Sequence, residues 1–316
     1  MKRVKGIVMI VVGSMLWGAT GPMMEWLLEE ISIPVPFFIT IRLLFAGLLL
    51  LLFLKITGKR VMAIWKQPFW SKRLLIFSIV GMLGVQFTFV ASIEVSNAVI
   101  ATLFQFFAPI FIILYVSLAK RKWPPVVQVL GIGVTLIGLF LLLTNGVLSQ
   151  LAVSPEAVVW GMAIGFTFAF YTLYPGTLMA EWGVLQVVAW GMVIGGLFMG
   201  VVRPYNWKEE FQAFGTGLDI LIFCLIILCG TLAFVLFLSS MKYITPVETS
   251  ILSSIEPLTA MIISVVWLGQ LLGGWQLAGS LIMLIGVTYL SIAGGEKEKV
   301  IEEDSTEVRV DSSLQK

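Results

Sequence analysis

Apolar residues in this chain form uninterrupted runs of about twenty, cut apart by short clusters of basic residues, Gly, Pro and Trp. An α-helix needs about 20 such residues to cross a hydrocarbon core roughly 30 Å thick. The runs fall at 6–27, 35–56, 74–92, 97–119, 124–145, 156–178, 182–202, 218–240, 246–270 and 273–293. They predict an all-α integral membrane protein with ten transmembrane helices. The first run follows Lys2, Arg3 and Lys5 but is too long for the apolar core of a cleaved leader, so it reads as a retained helix. The polar end, residues 294–316, has no apolar periodicity and reads as a disordered cytoplasmic tail.

Composition agrees with a bilayer rather than an aqueous setting: 59% of the 316 residues are hydrophobic and 12% charged, against about a quarter charged in soluble domains. The charges are sorted. With the N-terminus in the cytoplasm, the inner loops receive Lys55, Lys59, Arg60, Lys66, Lys72, Arg73, Lys120, Arg121, Lys122 and Lys242, and the outer loops only Arg203 and Lys208. The positive-inside rule therefore puts both termini in the cytoplasm of a multi-pass cell-membrane protein. A net charge of +2 spread over loops in this way gives no surface for nucleic acid. Cys224 and Cys229 both lie within the eighth run, so no extracellular disulfide framework is indicated.

The two halves of the chain resemble each other at a constant shift of 148 positions. Pro109 falls on Pro257, Gly13 on Gly161, Gly47 on Gly195, Phe89 on Phe237, Gln128 on Gln276, Gly131 on Gly279 and Gly138 on Gly286. Five spans per half is an odd number, so the second half enters the membrane from the opposite side. The expected organisation is a five-helix repeat over 1–148, an inverted five-helix repeat over 149–293, and the tail. Inverted repeats recur in secondary transporters, with substrate bound near the midplane between the halves.

The ten spans as five plus five, together with "GSMLWGATGP", "IRLLFAG", "SILSSIEPLTAMIISVVWLGQLL" and "WQLAGSLIMLIGV", resemble the EamA-type branch of the drug/metabolite transporter superfamily. The resemblance covers about residues 6–293 and implies transport, often export, of small metabolites or drug-like compounds. In many relatives an acidic residue closes the ninth helix and another the fourth; this chain has Gln270 and Lys120 there, so roles resting on those carboxylates do not carry over.

The stretch "SSIEPLTAMI" places a carboxylate and a proline inside the ninth run. At 100° per residue, Thr249, Ser253, Glu256, Ala260, Ser264 and Trp267 form one small and polar stripe that should face protein or a water-filled cavity. Glu256 lies near the midplane, where a carboxylate costs several kcal/mol unless paired, protonated or hydrated. Pro257 leaves the Ser253 carbonyl without its helical donor, and Pro109 does the same to Gln105, so corresponding helix breaks are expected in the fourth and ninth spans. Glu256 then either contacts substrate and couples transport, or only ties helices together; the prolines either shape the site or only kink the packing.

Arg42 is the basic residue placed well inside a span. It either snorkels to the outer interface, pairs with Glu256 or Glu25, or binds an anionic group. Trp17 and Trp267 lie deep enough to wall a cavity. The loop Thr57–Arg73, mixing aromatic and basic residues, reads as lying along the inner leaflet.

The chain has no His, no phosphate-cradling Gly-Lys loop and no Cys cluster, which argues against an enzyme, a metal site, a cofactor or ATP-driven transport by this chain alone. The reading is a secondary transporter, with a channel or structural membrane protein as the competing class. Its partners are a small-molecule substrate and the lipid bilayer, and a homodimer stays open. Cys introduced at Lys59 is expected to react with an impermeant maleimide only from the cytoplasm, and at Glu29 only from outside. Labelling of both from one side would remove the inverted repeat.

Overall fold

The computed structural model describes residues 2–31, 33–121, 123–147, 153–203, 207–240, 243–244, 252–253, 255–286 and 288–289. The tail at 294–316, Lys122, Lys242 and Thr249 lie outside them. Every regular element among the described residues is helical. In chain order these are α1 (Lys2–Ile31), α2 (Val35–Ile56), a 3-10 turn (Ala63–Lys66), α3 (Pro68–Ile76), a π-helical stretch (Phe77–Leu83), α4 (Gly84–Val95), α5 (Ala98–Gln105), α6 (Ala108–Lys120), α7 (Val126–Thr144), α8 (Pro155–Leu173), α9 (Gly176–Trp182), α10 (Val184–Val202), α11 (Trp207–Gln212) and α12 (Gly217–Ser240). Further helices cover Ile255–Trp267 and Gly274–Gly286.

Eight of the resulting segments are long and apolar enough to cross a membrane, and the last two helices are shorter. The third crossing, Pro68–Val95, begins earlier than expected at 74. Pro68 is the reason: a proline needs no hydrogen-bond partner in a helix's first turn and opens α3 there. Its passage through the π-helical stretch adds a wider turn beside the core. The fourth crossing is in two pieces. α5 stops at Gln105 and α6 restarts at Ala108 after the turn at Phe106 and Phe107, directly ahead of Pro109.

Small residues set the helix crossings. A Cβ on Gly13 would lie 3.1 Å from the Ala233 carbonyl oxygen, and one on Gly47 would lie 2.8 Å from the Val193 nitrogen, so α1 meets α12 and α2 meets α10 backbone to backbone. Lipid gives no hydrophobic drive for helices to associate, and such close approach supplies the packing that replaces it. α1 also packs on Ile255–Trp267, and α8 packs on α4, α5 and α6. Apart from such crossings, the outer faces carry the exposed apolar side chains expected of a lipid-facing surface, such as Leu48, Leu52, Ile137 and Val266.

α7 crosses the helix Gly274–Gly286 through Gly138, whose added Cβ would lie 2.5 Å from the Met283 nitrogen and 2.7 Å from the Gly279 carbonyl oxygen. Gly138→Val is therefore expected to destabilise the fold by about 2 kcal/mol or more. Gly133→Ala, on the same helix with nothing within 4 Å of its Cβ, should not. Thermal unfolding in detergent, followed by the retained size-exclusion peak, checks both.

Candidate functional site

A cavity of about 540 Å³ lies in the middle of the bundle. α1 contributes Trp17, Thr20 and Met24; α2 contributes Arg42, Leu43 and Ala46; the broken fourth crossing supplies Gln105, Phe106, Ala108 and Ile112. α12 lines it from Ile226 to Phe237, and Ser253 and Glu256 complete the wall. Aromatic and aliphatic carbon dominates. Polar groups are few: Arg42, Glu256, Gln86, Gln105 and some hydroxyls.

Of the residues expected at a site, Glu256, Ser253, Gln105, Arg42 and Trp17 thus line one cavity. Trp267 does not. It is 43% exposed and stacks on Trp26 with ring centroids 6.0 Å apart. Helical rise explains the difference, because Trp267 stands 11 residues, about 16 Å, beyond Glu256 along its helix. The rest of the stripe behaves as its periodicity required: Ser253, Glu256, Ala260 and Ser264 are buried, while Leu258, Ile262, Val265 and Val266 are exposed. α1 fits against this stripe closely enough that a Cβ on Gly18 would collide with the Glu256 carbonyl oxygen.

Glu256 is 7% exposed and sits in the first turn of its helix, next to Pro257. Its Oε1 accepts a hydrogen bond from Gln105 Nε2 at 3.3 Å. Gln105 can make this bond because it ends α5, where the Pro109 break turns the chain at the cavity wall. The two helix-break sequences therefore meet through their side chains.

Arg42 is half-buried and donates from Nη1 to the Met24 sulfur at 3.3 Å. No carboxylate among the described residues forms an ion pair with it. Of the expected alternatives, the pairing of Arg42 with Glu256 or Glu25 is not what the described residues form. Glu256 is engaged by Gln105, and Glu25 accepts the Ala98 N–H at 2.8 Å and the side-chain amide of Gln270. A guanidinium and a carboxylate thus line the same cavity without neutralising each other.

Trp17 forms part of the aromatic wall, 5.0 Å from Phe237 and 5.9 Å from Phe234 between ring centroids. Lining residues that had not been expected at a site include Gln86, Phe89 and Tyr171. Phe89 carried a usable signal, since the shift of 148 positions pairs it with Phe237. Gln86 carried one too, as a polar side chain inside an apolar run, whereas Tyr171 had none, because an aromatic residue in such a run looks the same whether it faces lipid, core or cavity.

The loop Thr57–Arg73 is docked rather than spread on the lipid surface alone. Its Val61 carbonyl accepts from Trp190 Nε1 at 2.8 Å and Gln186 Nε2 at 3.2 Å, and its Ile64 is fully buried. Trp190, another deep tryptophan, thereby anchors a loop instead of walling the cavity. Lys59, Arg60 and Lys66 stay exposed.

The model of the EamA-like transporter family matches residues 4–144 and again 156–292. The chain is 38% identical over 289 residues to the "Uncharacterized inner membrane transporter YicL" of Salmonella typhimurium, covering 91% of this chain and 95% of that protein. It is 26% identical over 208 residues to an "Uncharacterized transporter" of Archaeoglobus fulgidus, covering 63% and 69%. A crystal structure superposes with a TM-score of 0.60 over 94% of this chain and 99% of its own, at 15% identity, a likeness of fold alone.

Proposed function

The chain belongs to the EamA-like transporter family, and on that premise we propose that it moves small amphipathic metabolites, amino acids or drug-like compounds through the central cavity by alternating access. The observation that carries this is the cavity itself: apolar and aromatic walls holding a guanidinium and a carboxylate that are not paired with each other. A molecule with an anionic and a cationic group complements both, so the zwitterionic end of that substrate range fits best. Phosphate would want several converging cations, and the described lining offers Arg42.

The architecture we propose is ten membrane helices in two inverted repeats, 1–148 and 149–293, with both termini in the cytoplasm. Support comes from the helix partners. Crossings one and eight pack as α1 on α12, and their repeat equivalents, six and three, as α8 on α4. The cavity lining follows the same shift of 148: Met82 falls on Gly230, Gln86 on Phe234, Phe89 on Phe237, Gln105 on Ser253 and Ala108 on Glu256, and all ten line it. Equal contributions at equal positions are what a site on a two-fold axis requires.

Within this reading, Glu256 binds a proton or the cationic group of the substrate by turns, Gln105 positions it, and Arg42 receives the anionic group. Export is the direction that family likeness favours. A channel lined by the same residues would conduct but not exchange, so counterflow across liposomes separates the two.

In such liposomes Glu256→Gln is expected to lose accumulation driven by a pH gradient, by tenfold or more on the scale of one lost charge interaction. Exchange at equal concentrations survives if Glu256 couples protons and weakens together with accumulation if it only binds the cationic group. Arg42→Met should instead raise KM for zwitterions by about tenfold and leave purely cationic compounds unaffected. Full gradient-driven transport by Glu256→Gln would leave Glu256 as a helix contact.

A further inference from the structure

α1 carries, in its last two turns, a buried acid that the transport reading does not use. Glu25 is 3% exposed and lies off the cavity, although its neighbour Met24 lines it. One carboxylate oxygen, Oε2, accepts the N–H of Ala98, the first residue of α5, and the other accepts from Gln270. α5 already has its own cap, since the Asn97 side chain accepts the Ile100 N–H at 2.8 Å. Glu25 therefore engages the start of α5 from another helix.

Gln270 reaches it through backbone geometry. Gly269 has φ +66°, a left-handed conformation that favours glycine, and it turns the chain so that the Gln270 N–H bonds the Ser264 carbonyl at 3.2 Å. The side chain then meets Glu25. The same end of the bundle carries the Trp26–Trp267 stack, and a Cβ on Gly21 would lie 3.2 Å from that of Ala98. α1, the fourth crossing and the ninth are drawn together here.

The opposite end differs. There the cavity runs on past Tyr171 to Thr172, Met179 and Val184, where α8 ends and α10 begins, and Thr172 is exposed. Leu173, which the shift of 148 pairs with Glu25, is 38% exposed. One end has a buried carboxylate with two partners; the corresponding place at the other has an apolar side chain at the surface.

We propose that Glu25, the Ala98 N–H and Gln270 form a latch that holds the bundle shut where α1 ends, and that must release whenever the cavity turns to that side. The proposal rests on the alternating-access reading. A carboxylate suits the task because its bonds to a helix N-terminus and an amide are charge-assisted while buried. Once exposed, water can replace both partners, so the open state stays within reach. Gln270 donates from an amide that does not titrate, whereas an acid at that position would donate only when protonated.

The test uses Ala46→Cys as reporter, a cavity residue midway along α2, with Cys224→Ser and Cys229→Ser. Labelling by an impermeant maleimide is compared in vesicles of both orientations, the side being fixed by Cys at Glu29. The parent should label mainly from the side where α8 ends. Glu25→Ala and, separately, Gln270→Ala should raise labelling from the other side by about tenfold, the shift expected for losing a charge-assisted hydrogen bond. The double variant should go no further than Glu25→Ala, which already breaks both bonds. Gln270 sits in a loop, so its variant keeps the test open should Glu25→Ala fold poorly. Unchanged sidedness in folded Gln270→Ala would overturn the latch and leave the transport reading standing. A parent unlabelled from either side would overturn the cavity reading, and the latch with it.

Discussion

No water reaches the hydrocarbon core of a bilayer to satisfy a loose N–H or C=O, and each group left bare there costs several kcal/mol. A chain that breaks a helix inside the membrane must therefore aim the break at protein or at a hollow. Here the gap between α5 and α6, at Phe106 and Phe107, opens onto the central cavity, with Gln105 and Ala108 on its wall. Much else follows from that one necessity. Gln105 ends its helix at the cavity, its amide can reach across to Glu256, and the carboxylate gains a partner it could not find in lipid.

The second requirement is contact. Because apolar side chains gain nothing by leaving lipid for one another, the bundle relies on backbones that come close, and glycine is what allows it. Gly13, Gly18, Gly47 and Gly138 stand where α1, α2 and α7 touch other crossings. α1 is the busiest of these helices, with Gly13 on α12, Gly18 on the helix of Glu256 and Gly21 on Ala98. Its interior Pro22 withholds the N–H that would bond the Gly18 carbonyl, so the tightest contact lies next to a softened turn.

The membrane class, the eight long crossings and the buried stripe around Glu256 were legible in the sequence, because each depends on a period or a run that neighbouring residues write together. Glu256, Ser253, Gln105 and Arg42, which line the cavity, were legible because polarity or a proline-freed carbonyl is conspicuous in an apolar run, and Trp17 because of its depth in the first span. What escaped depends on pairs far apart in the chain. Nothing at Arg42 tells that its nearest partner is the Met24 sulfur, and nothing at Glu25 tells that it bonds a backbone N–H 73 positions later. Trp267 failed for another reason: helical angle places a residue on a face but says nothing about how far along the axis the cavity extends.

The docking of the Thr57–Arg73 loop bears on the mechanics of the whole bundle. Val61 hangs by its carbonyl from two α10 side chains one turn apart, Gln186 and Trp190, while α2 is pressed against α10 through Gly47 and Gly196. The loop is also the covalent link from α2 to α3. Any movement that parts α2 from α10 must peel off the loop, strip two donors from one carbonyl and separate a glycine-tight crossing at once. The stretch Phe77–Leu83 is held on the same helix, since Gly191 and Gly195 of α10 bring it against Phe77, Met82 and Leu83, so α2, the loop and the third crossing are all tied to α10.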